Sequence, residues 1–374
     1  MYRPCVVFRH LLVVIVLLAG LPFVTGVDLQ QHRITQEYRY QLTTAIRALA
    51  IWLSVRSLPS VTQLVKDEEN LIRHVTDYIQ YLYDSGASLS SARHTVLALQ
   101  TFHRKLKGRL VVLWDSVRSW ELLRPCSMRV PVPFLVVEAI FAHSMATGFR
   151  LQGQKGRGWL CFGVAVLCMF SGLLRPGEVA GLGPGHISLP GSGLHGVVDK
   201  AVVCLAAPKT KRSLGRQQVA TISDPRAISW LAWLVEGMEV GSAVFQGGTM
   251  ALRRHMAACT EALGLSGSGF TPGGLRAGGT TFLFVGGAEV ARIRVLGRWK
   301  VMETLDHYIQ EASAALALIR LPADILATLQ RLKAAAPRFG VPPEFPWECY
   351  FHRERQSKQW ITRLLRLRQR RQRS

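Results

Sequence analysis

Three short stretches carry polar residues that a plain helical protein does not need. In SGLLRPGEVAGL (171–182), Arg175 follows an apolar run and Glu178 comes three residues later. In TPGGLRAGGTTFLFVGGAEVARI (271–293), Arg276 stands among Gly273, Gly274, Gly278 and Gly279. Glycines let a backbone or ligand come close, and an arginine in such a place can fork onto a phosphate. In LGRWKVMETLDHYIQE (296–311), the apolar positions repeat with the period of an amphipathic helix, a Gly-Arg-Trp-Lys turn (297–300) runs into it, and Tyr308 lies nine residues after Trp299. The chemistry on offer is oxyanion binding by arginine beside a phenol, which is a potential nucleophile. Taken one at a time, each stretch has a plainer explanation: a helix cap with a surface arginine, a glycine turn before a helix, and a core aromatic.

Order and spacing change that balance. Arg175 with Glu178 is followed by a basic turn, APKTKRS, holding Lys209. GLRAGG with Arg276 comes next, and then GRW leading to TLxxYI with Tyr308, 32 residues after Arg276. This series resembles the tyrosine recombinase (phage integrase) family over residues 30–325, and its wording is most similar to a divergent eukaryotic group associated with mobile elements. The resemblance implies a mainly α fold with a small antiparallel β-sheet, made of a helical core-binding (SAM-like) domain and a tyrosine recombinase catalytic domain. It implies Arg175, Lys209, Arg276, Trp299 and Tyr308 as catalytic residues, with Glu178 orienting Arg175 and Lys211 as the alternative to Lys209. One position departs from the pattern. Where the family usually has histidine, three residues before the second arginine, this chain has Gly273, which offers neither a donor nor a proton acceptor.

The residue types suit metal-free cutting of a phosphodiester. Such a reaction needs an in-line nucleophile, charge stabilisation at the non-bridging oxygens and a proton for the leaving 5′-oxygen. Tyrosine would attack to give a 3′-phosphotyrosyl link, two arginines would hold the developing charge, and a lysine on a turn would act as general acid. Trp299 can donate its indole N–H but cannot shuttle a proton. The implied partner is double-stranded DNA, handled by a homo-oligomer, normally a tetramer, with no cofactor. A non-catalytic DNA-binding protein of the same fold stands as the alternative, favoured by Gly273.

The chain as a whole fits a polyanionic partner. It has 374 residues, a formal net charge of +22 and nearly half its residues hydrophobic, so two domains with sizeable cores are expected. Arg104, Lys105, Lys107 and Arg109 crowd one helix end, and Arg298 and Lys300 flank Trp299; all six are candidate phosphate contacts. Seven cysteines without a CxxC pair read as small buried hydrophobes in a reduced compartment. His186, His195, His255 and His307 lack metal-ligand spacing, and no phosphate-cradling glycine loop with Lys-Ser/Thr occurs. Residues 1–27 have the layout of a secretory signal peptide, which keeps an exported or membrane-anchored basic protein as a third reading. An intracellular and, in a eukaryote, nuclear location is favoured by the thiols and the basic tail.

The elements that must position these residues are legible in outline. Residues 30–125 read as helices: one capped by Thr35 with Tyr38, Leu42, Ile46, Leu49, Trp52 and Leu53 on its apolar face, one stopping at Gly86, and one starting near Ser90 and carrying Val96, Leu99, Phe102 and Leu106 on its apolar face. Three prolines in LLRPCSMRVPVP (122–133) mark a linker. The catalytic domain is expected over 130–330. It would hold a buried apolar helix at 159–174, strands within 196–207 and 217–222 joined by the basic turn, a helix opened by Asp224-Pro225, another capped by Thr249, and consecutive helices from 275 to 330. Residues 331–374 form an arginine-rich tail.

Overall fold

The computed structural model describes residues 33–125, 128–191, 199–205 and 218–343. The chain divides into two compact units, residues 1–127 and 128–374. The fold is mainly helical with one small three-stranded antiparallel sheet.

The first unit contains α1 (Gln36–Val55), α2 (Val61–Leu64), α3 (Glu68–Asp84), α4 (Leu89–Phe102) and α5 (Val111–Leu123). Short polar caps start several of them. Thr35 Oγ1 accepts from the Tyr38 N–H at 3.2 Å, and Asp67 does the same for Asn70, each satisfying an amide that the helix cannot. Leu49, Trp52, Leu53, Leu71, Val75, Val96, Leu99 and Leu113 fill the core. The third long helix ends earlier than its apolar pattern predicts. His103 leaves helical geometry, and a 3₁₀ turn over Arg104–Leu106 carries Leu106 inside, leaving Phe102 exposed.

The second unit begins with an extended segment and then α6 (Phe134–Leu151), α7 (Gly153–Ser171) and α8 (Pro176–Ala180). Strands β1 (Ile187–Ser188), β2 (Ala201–Leu205) and β3 (Gln218–Ile222) pair in the order β1-β2-β3, with Val203 opposite both Ile187 and Ala220. Alternation along β2 puts Ala201, Val203 and Leu205 on the core side. Then come α9 (Pro225–Val235), α10 (Gly248–Ala262), α11 (Pro272–Val285), α12 (Val290–Gly297), α13 (Met302–Asp306), α14 (Glu311–Ile319) and α15 (Ala323–Ala335). Asp224 caps α9 by accepting from the Arg226 and Ala227 amides. Thr249 is not the cap of α10. The cap lies two residues earlier, at Gly247 in left-handed geometry at φ +81°.

The core of this unit centres on α6 and α7. Helix α6 is long and apolar enough to cross a membrane, but 61% of its apolar window is buried inside the protein, as in a core helix. The apolar run at 159–174, expected as a buried helix, lies in α7, whose observed bounds are Gly153–Ser171. The leader at 1–27, the basic turn with Lys209 and Lys211, His195 and residues 344–374 of the expected tail lie outside the described residues. The sequence reading places residues 331–343 in that tail, but they complete α15 and form a 3₁₀ turn over Ala336–Phe339, and Leu332, Ala336 and Phe339 pack on this core.

Candidate functional site

The stretch 296–311 is not one helix. Helix α12 ends at Gly297, Arg298 turns left-handed at φ 58° and ψ 44°, and the five-residue α13 follows before Tyr308. The interruption has a steric cause. The Trp299 ring folds back over Gly297 so closely that a β-carbon there would lie 1.5 Å from the ring. Only glycine fits, and the helix cannot continue with its side chains on one stripe. Trp299 instead packs with Leu173, Ile293 and Leu305 in a small separate core, against which Tyr308 rests half-buried. The Trp299 and Tyr308 ring centroids are 4.9 Å apart. Thr281 pins the backbone of this turn: its hydroxyl donates to the Tyr308 carbonyl and accepts from the Gln310 N–H.

Arg276 projects from α11 into the same region and is 2% exposed. Its Nη1 donates to the Leu173 carbonyl at 2.7 Å, and its Nη2 donates to the Gly297 carbonyl. The guanidinium lies 4.4 Å from the Trp299 ring centroid and 5.4 Å from that of Tyr308, within cation–π range. Burial pushes its pKa down, and the neighbouring Arg175 and Arg298 charges push the same way, against opposing pulls from Glu178 and Tyr308. A guanidinium nevertheless keeps its proton, so the site holds a fixed positive charge in a dry place.

Glu178 ties the cluster together. It sits in the first turn of α8, whose N-cap is Arg175. It accepts from the Arg175 backbone N–H at 2.9 Å and from Arg175 Nη1 at 2.7 Å. Arg298 Nη2 approaches from the other side at 2.8 Å, and Arg276 Nη1 is 4.0 Å away. Burial pushes the Glu178 carboxyl up, but the Arg298 charge, the Arg175 hydrogen bonds and the Arg175 charge outweigh it and hold the group below its ordinary value. One carboxylate therefore faces three arginines.

Several donors in the cluster have no protein partner. Arg276 Nε, Arg298 Nε and Trp299 Nε1 are buried without a hydrogen-bond partner. Unpaired buried donors are costly, and they point to an anion or water as the missing acceptor. Arg175 keeps some solvent access, with its side chain 20% exposed. The backbone is unusual here too. Leu173 and Arg298 are two of four described non-glycine residues with positive φ, and the Leu173 carbonyl accepts from both Arg276 and Arg298. Such strain is tolerated where surrounding contacts over-determine it, and it concentrates at functional sites. Nothing in the sequence marks Leu173, because leucine gives no hint of left-handed geometry.

Arg175, Glu178, Arg276, Trp299 and Tyr308 thus come together within one unit. Gly273 lies one turn before Arg276 on α11. Arg298, expected as a surface phosphate contact, is instead 8% exposed and committed to Glu178; this corrects the expectation, and the reason is the left-handed turn that aims its side chain inward. Lys300 is exposed. In the first unit Arg104, Lys105 and Lys107 are exposed, while Arg109 is paired with Glu68 at 2.6 Å. Among the described residues no group of three or more His, Cys, Asp or Glu side chains could hold a metal.

No protein-family model matches this sequence, and no curated protein does. Among solved structures, the crystal structure of XerA recombinase is similar at 13% identity and a TM-score of 0.36, over 78% of this chain and 98% of that one. A likeness at that level fixes neither family nor activity.

Proposed function

We propose that the chain is a DNA breaking–rejoining protein of the tyrosine recombinase type, acting through a covalent 3′-phosphotyrosyl intermediate. The observation that carries this reading is the charge-unbalanced cluster of three arginines around Glu178, with the Tyr308 ring 5.4 Å from the central guanidinium. A buried excess of positive charge with unpaired N–H groups supports a phosphate as its partner. Tyr308 alone would explain little; beside that charge it has a target.

In the proposed reaction the Tyr308 oxygen bonds to phosphorus as the bond from phosphorus to the 5′-oxygen breaks. The phenolic proton leaves to solvent, and the 5′-oxygen takes a proton from Lys209, with Lys211 as the alternative donor. Arg175 is the more open fork and Arg276 the buried one, and both stabilise charge on the non-bridging oxygens. Glu178 and Arg298 act behind them as struts. Trp299 Nε1, without a protein partner, is a further donor. The first unit is the DNA clamp, touching the backbone through Lys105 and Lys107, and strand exchange requires a homo-oligomer, a tetramer on two DNA sites. Lys300 adds a surface phosphate contact.

The test is a nicked suicide duplex, on which a covalent complex accumulates. Wild type is expected to form a protein–DNA adduct stable to denaturant, and Tyr308→Phe is expected to form none. If wild type binds duplex DNA but never forms an adduct, the enzymatic reading fails and DNA binding without chemistry takes its place. Two observations favour that second reading: no side chain at Gly273 accepts a proton, and both terminal nitrogens of Arg276 are already bonded to backbone carbonyls.

A further inference from the structure

Arg129 takes no part in the cluster described above, yet it touches the helix that carries Arg276. Its guanidinium rests on Gly273: a β-carbon there would stand 2.6 Å from Nη1 and 3.1 Å from Cζ. Gly273 and Arg276 are three residues apart, so they share a face of α11. The neighbouring backbone holds Arg129 in place. The Val132 N–H donates to the Gly274 carbonyl at 3.1 Å, and the Val130 and Val132 carbonyls approach within 2.3 and 2.0 Å of where β-carbons on Gly274 and Gly278 would be. The chain before α6 is thus laid along the first turns of α11 by its main chain, and the Arg129 side chain stays exposed. No carboxylate neutralises it among the described residues. The positive end of the helix dipole lies beside it.

We propose that Arg129 is an additional phosphate-contacting residue of this site, and that Gly273 is what admits it. The empty side-chain position one turn before Arg276 is filled by a guanidinium from another part of the same unit. The substitution is partial in chemical terms. A guanidinium gives charge and forked donors, but it has no lone pair to take a proton. Arg129 therefore strengthens the hold on the DNA backbone and does not activate Tyr308. The inference rests on the DNA-joining reading given above.

The experiment is a two-site cycle on the full chain, reading duplex-DNA affinity against salt. Arg129→Ala is expected to lower the slope of log K against log salt by about 1, the loss of one phosphate contact. Gly273→Ala keeps every charge but occupies the space under the guanidinium, and it is expected to lower affinity in the same direction. The double variant is expected to be no weaker than Arg129→Ala alone, because both changes remove one interaction. Both single variants are expected to fold, since the side chain is exposed and its far end can swing away from a new methyl group. An unchanged slope in Arg129→Ala overturns the inference, and so does a Gly273→Ala loss that persists in the Arg129→Ala background. Either failure alongside a normal wild-type slope leaves the parent reading standing. A wild-type chain whose DNA binding is insensitive to salt sinks both.

Discussion

Among the described residues of the second unit, the ionic networks around Arg226 and Glu178 are built on opposite plans. Around Arg226 the charges balance or exceed balance on the acidic side. Its two terminal nitrogens fork onto Glu138 at 2.7 Å each, and Asp224 receives Nη2 at 2.9 Å and Nε at 3.3 Å. Every nitrogen of that guanidinium is used. The Glu138 hydrogen bonds, opposed by burial and aided by Asp224, raise the Arg226 pKa. Around Glu178 the ratio is reversed, the Arg276 and Arg298 pKa values are lowered by burial first, and two Nε atoms are unpaired. A network that only holds a fold can saturate itself. One that leaves positive charge and donors over, inside the protein, has capacity for a further acceptor.

The contrast can be broken by substitution. The largest effect on folding is expected at the saturated network: Arg226→Ala leaves two carboxylates facing each other and should cost about 3–5 kcal/mol in urea unfolding. Arg276→Lys should cost less stability than that, yet slow adduct formation by about 10²–10³-fold, because a lysine cannot reproduce the planar fork. Equal stability losses at the two positions, with adduct formation unaffected, would erase the distinction.

Glu178→Gln sharpens the comparison further. It leaves three arginines without their carboxylate and should destabilise by roughly 3 kcal/mol. Added inorganic phosphate should restore part of that loss, by about 2.7 kcal/mol at one hundred times its Kd, whereas Glu138→Gln should gain nothing from phosphate. The acid limb of stability should move as well. The Glu178 carboxyl is held below its ordinary value of 4.5, so its ionised form stabilises the fold above that pH, and the contribution disappears as pH falls through the depressed value. Glu178→Gln should therefore lose less stability than wild type between pH 4.5 and the acid transition. The smallest expected effect is at Trp299→Phe. It keeps the ring against Tyr308 and removes an N–H without a protein partner, so stability should change by no more than about 1 kcal/mol while phosphate affinity falls.

How much of this could be read in the sequence depended on the range of the cause. Local causes were legible. Thr35 and Asp224 cap helices through residues two or three positions away, and Glu178 reaches Arg175 across one turn. Periodicity marks the helices, and the strands expected within 196–207 and 217–222 pair antiparallel over 201–205 and 218–222, as β-like runs joined by a short turn do. Causes that act over a hundred residues were not. Arg298 looked like a phosphate contact because nothing near it in sequence shows that Glu178 waits inside, and the turn over 297–300 is legible while the place its Trp299 ring takes, against Leu173, is not. The same holds for Gly273. In sequence it is a missing side chain, and in the structure it is the seat of Arg129, which lies 144 positions earlier in the chain.

Helix α11 is hemmed in on two sides by main chain. The Val130 and Val132 carbonyls press on Gly274 and Gly278, and the Phe170 carbonyl lies 2.1 Å from where a β-carbon on Gly279 would be. Mechanically this makes the helix a keyed shaft, unable to roll about its own axis. A side-chain tip stands roughly 5–6 Å from a helix axis, so a roll of 10° would sweep the Arg276 guanidinium through about 1 Å. Reacting groups must be held to about half that. The glycines of α11, which look like looseness in the sequence, are what set the angular tolerance of the residue at its centre.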